Sequence, residues 1–196
     1  MLASDQRERL LNAIVFFLTN TKHCHTLKLF KLLFFLDFEH YRQTGRTVTG
    51  LEYVAWPNGP APSDLWGELQ SPPADLRAVA AVVPIHDDVT SRLLRRDIKP
   101  KKAFDRRLFS KRELRIMALI AEVFAEAKAD DMSEFSHLKG SPWHQVYNRG
   151  KGNGQAIPVE LSRRTPPVLP TLPSLDDEEH EYRRSVFAGI DGGNGG

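Results

Sequence analysis

The run His23-Cys24-His25 contains the residue types that most directly suggest chemistry. On a strand, the two histidines would share one face and could act as paired imidazole ligands, but a zinc site needs third and fourth ligands that the sequence does not identify. A catalytic cysteine needs a base that a third group orients, and a histidine adjacent in sequence does not supply that geometry. We interpret the run as a polar connector between helices. A hydrolytic or metal site here is the alternative, which elemental analysis and a Cys24→Ala variant would test.

Two further histidines, His137 and His144, flank Trp143. We interpret them as hydrogen-bonded histidines beside a tryptophan wedged between helices. The sequence contains no phosphate-binding glycine loop, no paired-carboxylate motif, no nucleophile elbow and no His-Glu-x-x-His motif. These absences argue against the commonest enzyme classes without excluding a novel one. Our expectation is a protein that is not an enzyme, with no catalytic residue, no metal and no cofactor.

The composition indicates an ordinary globular protein. The chain has 196 residues, of which 41% are hydrophobic and 27% are charged, and Cys24 is its only cysteine. One thiol excludes an intramolecular disulfide framework and an all-cysteine zinc site. Asp5 and Glu8 lie where a signal peptide would carry basic residues, and the apolar stretch 27–38 is too short to span a membrane. We expect a cytoplasmic protein with no membrane association.

Positive charge is concentrated between Arg92 and Arg112, a stretch that contains ten basic residues and two acidic ones. Such a strip could contact phosphates, dock an acidic protein or simply be solvated. No helix-turn-helix, zinc finger or aromatic-interleaved motif accompanies it, which disfavours nucleic acid as a partner. The acidic run Asp176–Glu179 could also dock on the strip intramolecularly. The basic patch that we predict comprises Arg92, Arg95, Arg96, Lys99, Lys101, Lys102, Arg106 and Arg107.

Hydrophobic periodicity and capping residues predict the helices that hold these segments. A first helix follows a predicted N-cap at Ser4, and a second, largely buried helix runs from Thr26 to about Tyr41, with Gly45 suited to its end. Ser110 and Glu113 form the pattern of a capping box at the start of another helix. Shorter helices are predicted after Ser63, over 75–80, from about 130 to 140 and from Pro142.

The intervening segments predict a small sheet. Thr47–Trp56 has the β-branched and aromatic content of one or two short strands, and the proline-rich run 57–62 predicts a turn that no helix crosses. Weaker patterns predict a second strand pair at 81–86 and 93–99. The fold class is therefore α+β and predominantly α-helical, with one helical domain over residues 1–149 and a small antiparallel sheet. Residues 150–196 are rich in proline and glycine, and we expect a flexible tail.

Four pieces of the sequence, taken in this order, are similar to a known family. They are Lys28–His40, an apolar helix with Asp37 near its end; Gly45–Ser63, a tyrosine-containing segment that runs into Asn-Gly-Pro; Phe109–Leu114; and Ser136-His137 with Pro142-Trp143. Together they resemble the Panacea domain, also called the SocA-like antitoxin domain, over about Ser4 to Tyr147.

The resemblance implies the antitoxin half of a bacterial or phage two-gene toxin–antitoxin system. Members bind a cognate protein toxin directly, some act as adaptors that hand the toxin to a protease, and the resemblance supplies no catalytic residue. A nucleic-acid-binding regulator that uses the basic strip is the alternative, and mobility-shift assays at low salt would test it. By family position, the motif or partner-binding candidates are Tyr53, Trp56, Asn58, Gly59, Pro60, His137 and Trp143.

Overall fold

The computed structural model describes residues 2–165, with side chains from Asp5 onwards. In this range the fold is α+β and predominantly helical, as the sequence predicts, with two small two-stranded antiparallel sheets. The helices are α1 (Leu2–Asn20), α2 (Thr26–Thr44), α3 (Ser63–Gln70), α4 (Ala74–Val79), α5 (Lys111–Val123), α6 (Ala129–His137) and α7 (Pro142–Tyr147). Short 3-10 helices lie at Arg106–Leu108, Asn148–Gly150 and Val159–Arg164.

Helix α2 is the centre of the core. Every residue from Lys28 to His40 is buried, because α1, α5, α6 and both sheets pack around this helix. Each apolar side chain buried in this way contributes roughly 1.5–3 kcal/mol. The helix ends at Gly45, whose φ of +75° lets its N–H donate to the carbonyl of Tyr41 at 2.8 Å. The sequence predicted both the buried helix and its glycine end.

Helices α1 and α5 flank α2. The predicted capping box at the start of α5 is confirmed: the Ser110 hydroxyl accepts from the backbone N–H of Glu113, and the Glu113 carboxylate accepts from the N–H of Ser110. The same carboxylate is paired with Arg9 of α1, so the cap also joins two helices. Helix α1 begins at Leu2, before Ser4, so the prediction that Ser4 caps this helix is wrong.

The first sheet is a hairpin of β1 (Val54–Trp56) and β2 (Gly59–Ala61), in which Trp56 pairs with Gly59. The predicted strand segment Thr47–Trp56 is therefore correct only at its end. Residues 47–53 contain no strand, because the backbone of Val48 and Thr49 is hydrogen-bonded to the side chain of Asp37. The predicted proline-rich turn is shorter than expected, because Gly59–Ala61 continues as β2.

The second sheet pairs β3 (Ala80–His86) with β4 (Leu93–Pro100), close to the predicted positions. Ile98 faces the core and is buried, whereas Leu93, Leu94 and Lys99 are exposed. The outer edge of β4 meets the start of α2, where an isolated β-bridge joins His25 and Asp97 and the hydroxyl of Thr26 donates to the carbonyl of Arg96 at 3.4 Å. A cleft lies between β4 and the N-terminal end of α2.

The chain beyond α7 continues along the domain. Gly154 donates its N–H to the carbonyl of Ala55 at 2.8 Å, and Ile157 donates to the carbonyl of Tyr53 at 2.7 Å, so this segment covers the free edge of β1. The 3-10 helix Val159–Arg164 then packs on α2. The remainder of the predicted tail, residues 166–196, lies outside the described residues, as does the acidic run that it contains. No helix among residues 2–165 is long and apolar enough to cross a membrane.

Candidate functional site

The β1–β2 hairpin approaches α2 and α6 most closely at Gly59. Its φ is +115°, and a Cβ added there would lie 3.2 Å from Cε of Lys31, 3.3 Å from Oγ of Ser136 and 3.4 Å from Nε2 of His137. Only glycine combines this backbone conformation with such close contacts. The Asn-Gly-Pro motif therefore sets how deeply the hairpin sits against the two helices.

Trp143 fastens the same hairpin from the other side. Its indole Nε1–H donates to the carbonyl of Trp56 at 2.9 Å, and its ring stacks on His137 with centroids 3.7 Å apart and on Tyr147 at 4.5 Å. Trp56 in turn meets Trp66 edge to face at 5.6 Å. Trp56, Trp66, Trp143, His137 and Tyr147 thus form one cluster that joins the hairpin to α3, α6 and α7.

Lys31 is buried beneath this cluster. Its ammonium donates to the carbonyl of Ala129 at 2.8 Å and to the hydroxyl of Ser133 at 2.6 Å. Burial lowers the pKa of Lys31 to about 8, because the charged form is poorly solvated there. Burial and the charge of Lys31 also lower the pKa of His137, which favours a neutral imidazole against Trp143.

Lys28, one turn earlier on α2, binds the chain just beyond α5. Its ammonium donates to the carbonyls of Phe124 at 2.8 Å and Ala127 at 2.6 Å, and also to that of Lys22 at 2.6 Å. A helix C-terminus carries partial negative charge and unpaired carbonyls. A buried ammonium is attracted by this charge and supplies hydrogen-bond donors for the carbonyls. Lys28 and Lys31 therefore fix the connection between α5 and α6 through main-chain atoms.

Asp37 organises the loop that leads to the hairpin. Its carboxylate accepts from the backbone N–H groups of Val48 and Thr49 at 2.8 Å each, from the hydroxyl of Thr49, and from the hydroxyl of Tyr53 at 2.8 Å. Burial raises the pKa of Asp37, and these four hydrogen bonds act in the opposite direction. The pKa of Tyr53 is raised, first by burial and then by the neighbouring carboxylate.

From the sequence, Lys28 and Lys31 receive no role, and Asp37 is named only as part of the family resemblance. Their importance lies in contacts with residues far along the chain, up to 102 positions away for Lys31. The available signal was their placement within a helix that is apolar on all sides, where an ionisable side chain must find buried partners. That signal indicates that partners exist but does not identify them.

The structure brings most of the predicted motif residues together, although not on an open surface. Tyr53, Gly59, Pro60 and Trp143 are buried, Trp56 and His137 are half-buried, and Asn58 is exposed at the hairpin tip. The buried four hold the hairpin against the helices. The members that a partner could reach are Asn58 and the exposed parts of Trp56 and His137.

The predicted basic patch lies on β4 and the segment that follows it. Arg92, Arg95 and Lys99 are exposed and Arg96 is half-buried, while Lys101, Lys102, Arg106 and Arg107 are exposed farther along the chain. Two arginines are partly neutralised by neighbours, since Arg95 pairs with Asp97 at 2.8 Å and Arg107 with Asp105 at 2.7 Å. Arg112, at the end of the strip, is buried and donates to Gln43.

The cleft between β4 and the N-terminal end of α2 has a volume of about 970 Å³. Lys99 of β4 and Lys128, just before α6, both line it, as do Asn58 and Trp66. Three side chains that line it, those of Trp66, Leu93 and Leu94, are among the large hydrophobic residues exposed in the described part of the chain. The cleft therefore combines accessible apolar surface with cations, which is a pattern typical of protein-binding surfaces.

The His23-Cys24-His25 run also lines this cleft, between α1 and α2 as predicted. Burial raises the pKa of Cys24 to about 11, so the thiol is protonated at neutral pH, unlike an activated nucleophile. Burial and the nearby Arg95 lower the pKa of His25. Within residues 2–165 no three histidine, cysteine or acidic side chains are grouped to hold a metal ion.

Comparison with known proteins gives one match. A family model described as "Antitoxin SocA-like, Panacea domain" matches residues 29–144, which is more than half of the chain and includes Lys31, Asp37, the hairpin and Trp143. No curated protein and no solved structure matches the chain.

Proposed function

The chain belongs to the SocA-like antitoxin family with a Panacea domain, and from this premise we propose that it neutralises a cognate protein toxin by binding it directly. The observation that carries the proposal is the family match, which covers the hairpin and the cleft residues on β4. The protein acts as a binding partner in this proposal, without catalysis or a cofactor, and it works in the cytoplasm.

The toxin-binding surface that we propose is the mouth of the cleft. Trp66 and Leu94 have exposed side chains there, Asn58 projects from a hairpin tip fixed by prolines, and Lys99 and Lys128 provide positive charge. A preorganised turn loses little conformational entropy on association, and aromatic anchors often dominate the energy of an interface. We expect the toxin to present a complementary surface that is apolar at its centre and acidic at its rim.

The first experiment tests neutralisation itself. The neighbouring gene is expressed alone and together with this chain, and growth is measured. We expect growth arrest with the first and rescue with the second, together with copurification of the two proteins. A neighbouring product that remains toxic when this chain is present at equal or higher level would overturn the proposal.

The second experiment tests the surface. The double variant Lys99→Glu, Lys128→Glu reverses two charges that line the cleft. Lys102→Glu, Lys111→Glu is a matched control with the same change in net charge at exposed positions outside the cleft. We expect only the cleft variant to lose rescue, with at least about tenfold weaker toxin binding, since like charges facing each other across an interface cost several kcal/mol. Equal loss in both variants, or in neither, contradicts this surface.

Delivery of the toxin to a protease is a finer version of the same proposal. Direct masking leaves the toxin level unchanged on coexpression, whereas an adaptor lowers it, so immunoblotting of the toxin separates the two mechanisms.

A nucleic-acid role would rest on the exposed cations of β4 and the residues after it, and it predicts salt-sensitive binding to the promoter of the gene.

A further inference from the structure

We propose that the cleft between β4 and the start of α2 is a docking site for an acidic segment of this same chain, residues 175–182, which covers the proposed toxin-binding surface. The regulatory consequence rests on the proposed function, whereas the docking itself concerns the isolated chain. The segment reads Leu175-Asp-Asp-Glu-Glu-His-Glu-Tyr182.

Charge complementarity is the first argument. The cleft is lined by four basic side chains, Arg95, Arg96, Lys99 and Lys128, against the two carboxylates Asp97 and Asp130. The N-terminal end of α2, which carries partial positive charge, also borders the cleft, because His25, Thr26 and Leu27 line it. The N-cap residue His25 makes no side-chain capping hydrogen bond. Five carboxylates within six consecutive residues, Asp176–Glu181, match this field in sign and density.

Apolar complementarity is the second argument. Trp66 and Leu94 expose 36% and 51% of their surface, and both line the same cleft as Lys99. The acidic run is bounded by Leu175 on one side and Tyr182 on the other. The segment therefore carries an apolar side chain at each end of its negative charge, as the cleft carries apolar surface beside its cations.

Chain length is the third argument. The described chain ends at Thr165, just after Arg163, whose guanidinium lies over the ring of Tyr41 at 5.1 Å, near the C-terminal end of α2. The cleft lies at the opposite end of this 19-residue helix, about 28 Å away along its axis. Asp176 lies eleven positions after Thr165, and this proline-containing stretch reaches about 34 Å at 3.1 Å per residue.

A linker of matching length makes docking effective even when the contact is weak. A tethered segment has an effective concentration of about millimolar near its site. Docking would keep Trp66 and Leu94 out of water until a toxin with a better-fitting surface displaces the segment. We therefore expect neutralisation of Asp176–Glu179 to strengthen toxin binding, rather than weaken it.

Zero-length carbodiimide cross-linking of the full chain tests the docking without any toxin. Lys99 and Lys128 line the cleft, while Lys102 and Lys111 are exposed elsewhere and serve as internal controls. We expect Asp176–Glu179 to couple to the cleft lysines at least about fivefold more often than to the control lysines at low salt, and the preference to vanish at about 1 M salt, where charges are screened beyond about 3 Å. A mixture of isotopically light and heavy chains identifies coupling within one molecule.

A charge-reversal series supplies a readout that does not depend on lysine reactivity. Backbone hydrogen exchange at Leu93–Lys99 should be faster than in the wild type in two double variants, Asp176→Lys with Glu179→Lys and Lys99→Glu with Lys128→Glu. The quadruple variant, which combines all four changes, should show the slow exchange of the wild type. Lys102→Glu, Lys111→Glu should leave exchange unchanged.

Three results would overturn the proposal: equal coupling to cleft and control lysines, coupling only between different molecules, or exchange in the cleft that does not respond to the acidic segment. The second of these would assign the cleft to another copy of the chain. None of them bears on toxin rescue in coexpression, and failed rescue would leave an observed intramolecular contact standing.

Discussion

Lys31 is a cation enclosed between α2 and α6, and its protonation is linked to folding. Its pKa falls from 10.5 to about 8 in the folded chain, mainly through burial and against the attraction of Asp130. The folded state therefore binds fewer protons than the unfolded state between these two values. The contribution of Lys31 to stability is present above about pH 10.5 and is lost as the pH falls through about 8.

We predict that the free energy of unfolding of the wild type, minus that of Lys31→Met, rises as the pH increases from 8 towards 10.5. Urea denaturation at a series of pH values measures this difference. Cys24 titrates in the same range with the opposite sign, because burial raises its pKa to about 11, but it is present in both proteins and cancels. A difference that is flat with pH would contradict the depressed pKa.

Gly59 sets the distance between the hairpin and the two helices beneath it. We predict that Gly59→Ala lowers the free energy of unfolding by about 1–3 kcal/mol, because the new methyl group meets Lys31, Ser136 and His137 and the backbone has a positive φ. Gly67→Ala is the matched control, since Gly67 lies inside α3 with nothing within 4 Å of the new methyl group. That variant should gain about 0.5–1 kcal/mol in a chemical denaturation experiment. Equal effects would mean that the close approach at Gly59 is not what matters.

At the scale of elements, α5 is joined to its surroundings through its first turn. The Ser110 hydroxyl satisfies a backbone donor of the helix, and the partner carboxylate of Glu113 reaches both the N–H of Ser110 and Arg9. We predict that Ser110→Ala costs about 0.5–2 kcal/mol. Ser63→Ala, at an exposed first residue of α3, should change stability by less than about 0.5 kcal/mol in the same thermal or urea assay.

Local signals predicted the elements that depend on local physics. The sequence predicts the capping box of α5 and the glycine end of α2, because hydrogen bonds within a few residues determine both. It also predicts that α2 is buried, because apolar side chains lie on all sides of this helix. The first strand was misplaced for the opposite reason. Residues 48 and 49 have strand-like side chains, but their backbone donors go to Asp37, eleven and twelve positions earlier.

The candidate site was readable as a set of residues but not as a surface. Family position identified Tyr53, Gly59 and Trp143. Their burial, however, depends on contacts between distant parts of the chain, such as the hydrogen bond between Trp143 and Trp56, which lie 87 positions apart. The exposed apolar side chains of Trp66 and Leu94 carry no sequence signature, because exposure depends on which neighbours the fold provides. The cleft itself is a product of packing between β4 and α2.

At the scale of the whole molecule, the domain extends past α7. Residues 154–157 cover the edge of β1 through main-chain hydrogen bonds, Ile157 is buried, and the 3-10 helix Val159–Arg164 packs on α2. An uncovered strand edge exposes unpaired backbone groups and promotes association between chains. The segment is thus a structural part of the domain.

We predict that a chain ending at Thr165 keeps the free energy of unfolding of the full chain to within about 1 kcal/mol, whereas a chain ending at Arg149 loses at least about 3 kcal/mol. Urea denaturation followed by circular dichroism measures both. Size-exclusion chromatography should also detect self-association of the shorter chain. Equal stability of the two truncated chains would contradict a structural role for residues 150–165.

The two buried lysines donate hydrogen bonds to main-chain carbonyl groups. Every amino acid has such a carbonyl, so these bonds do not depend on the side chain at that position. Lys28 and Lys31 hold Phe124, Ala127 and Ala129 by such atoms, while Lys128 and Asp130 beside them point to solvent. The exposed side chains of this connection can therefore be substituted without loss of the hydrogen bonds that hold its main chain. Substitutions at Lys128 and Asp130 can therefore change the charge of the cleft while the hydrogen bonds from the two lysines to the main chain remain in place.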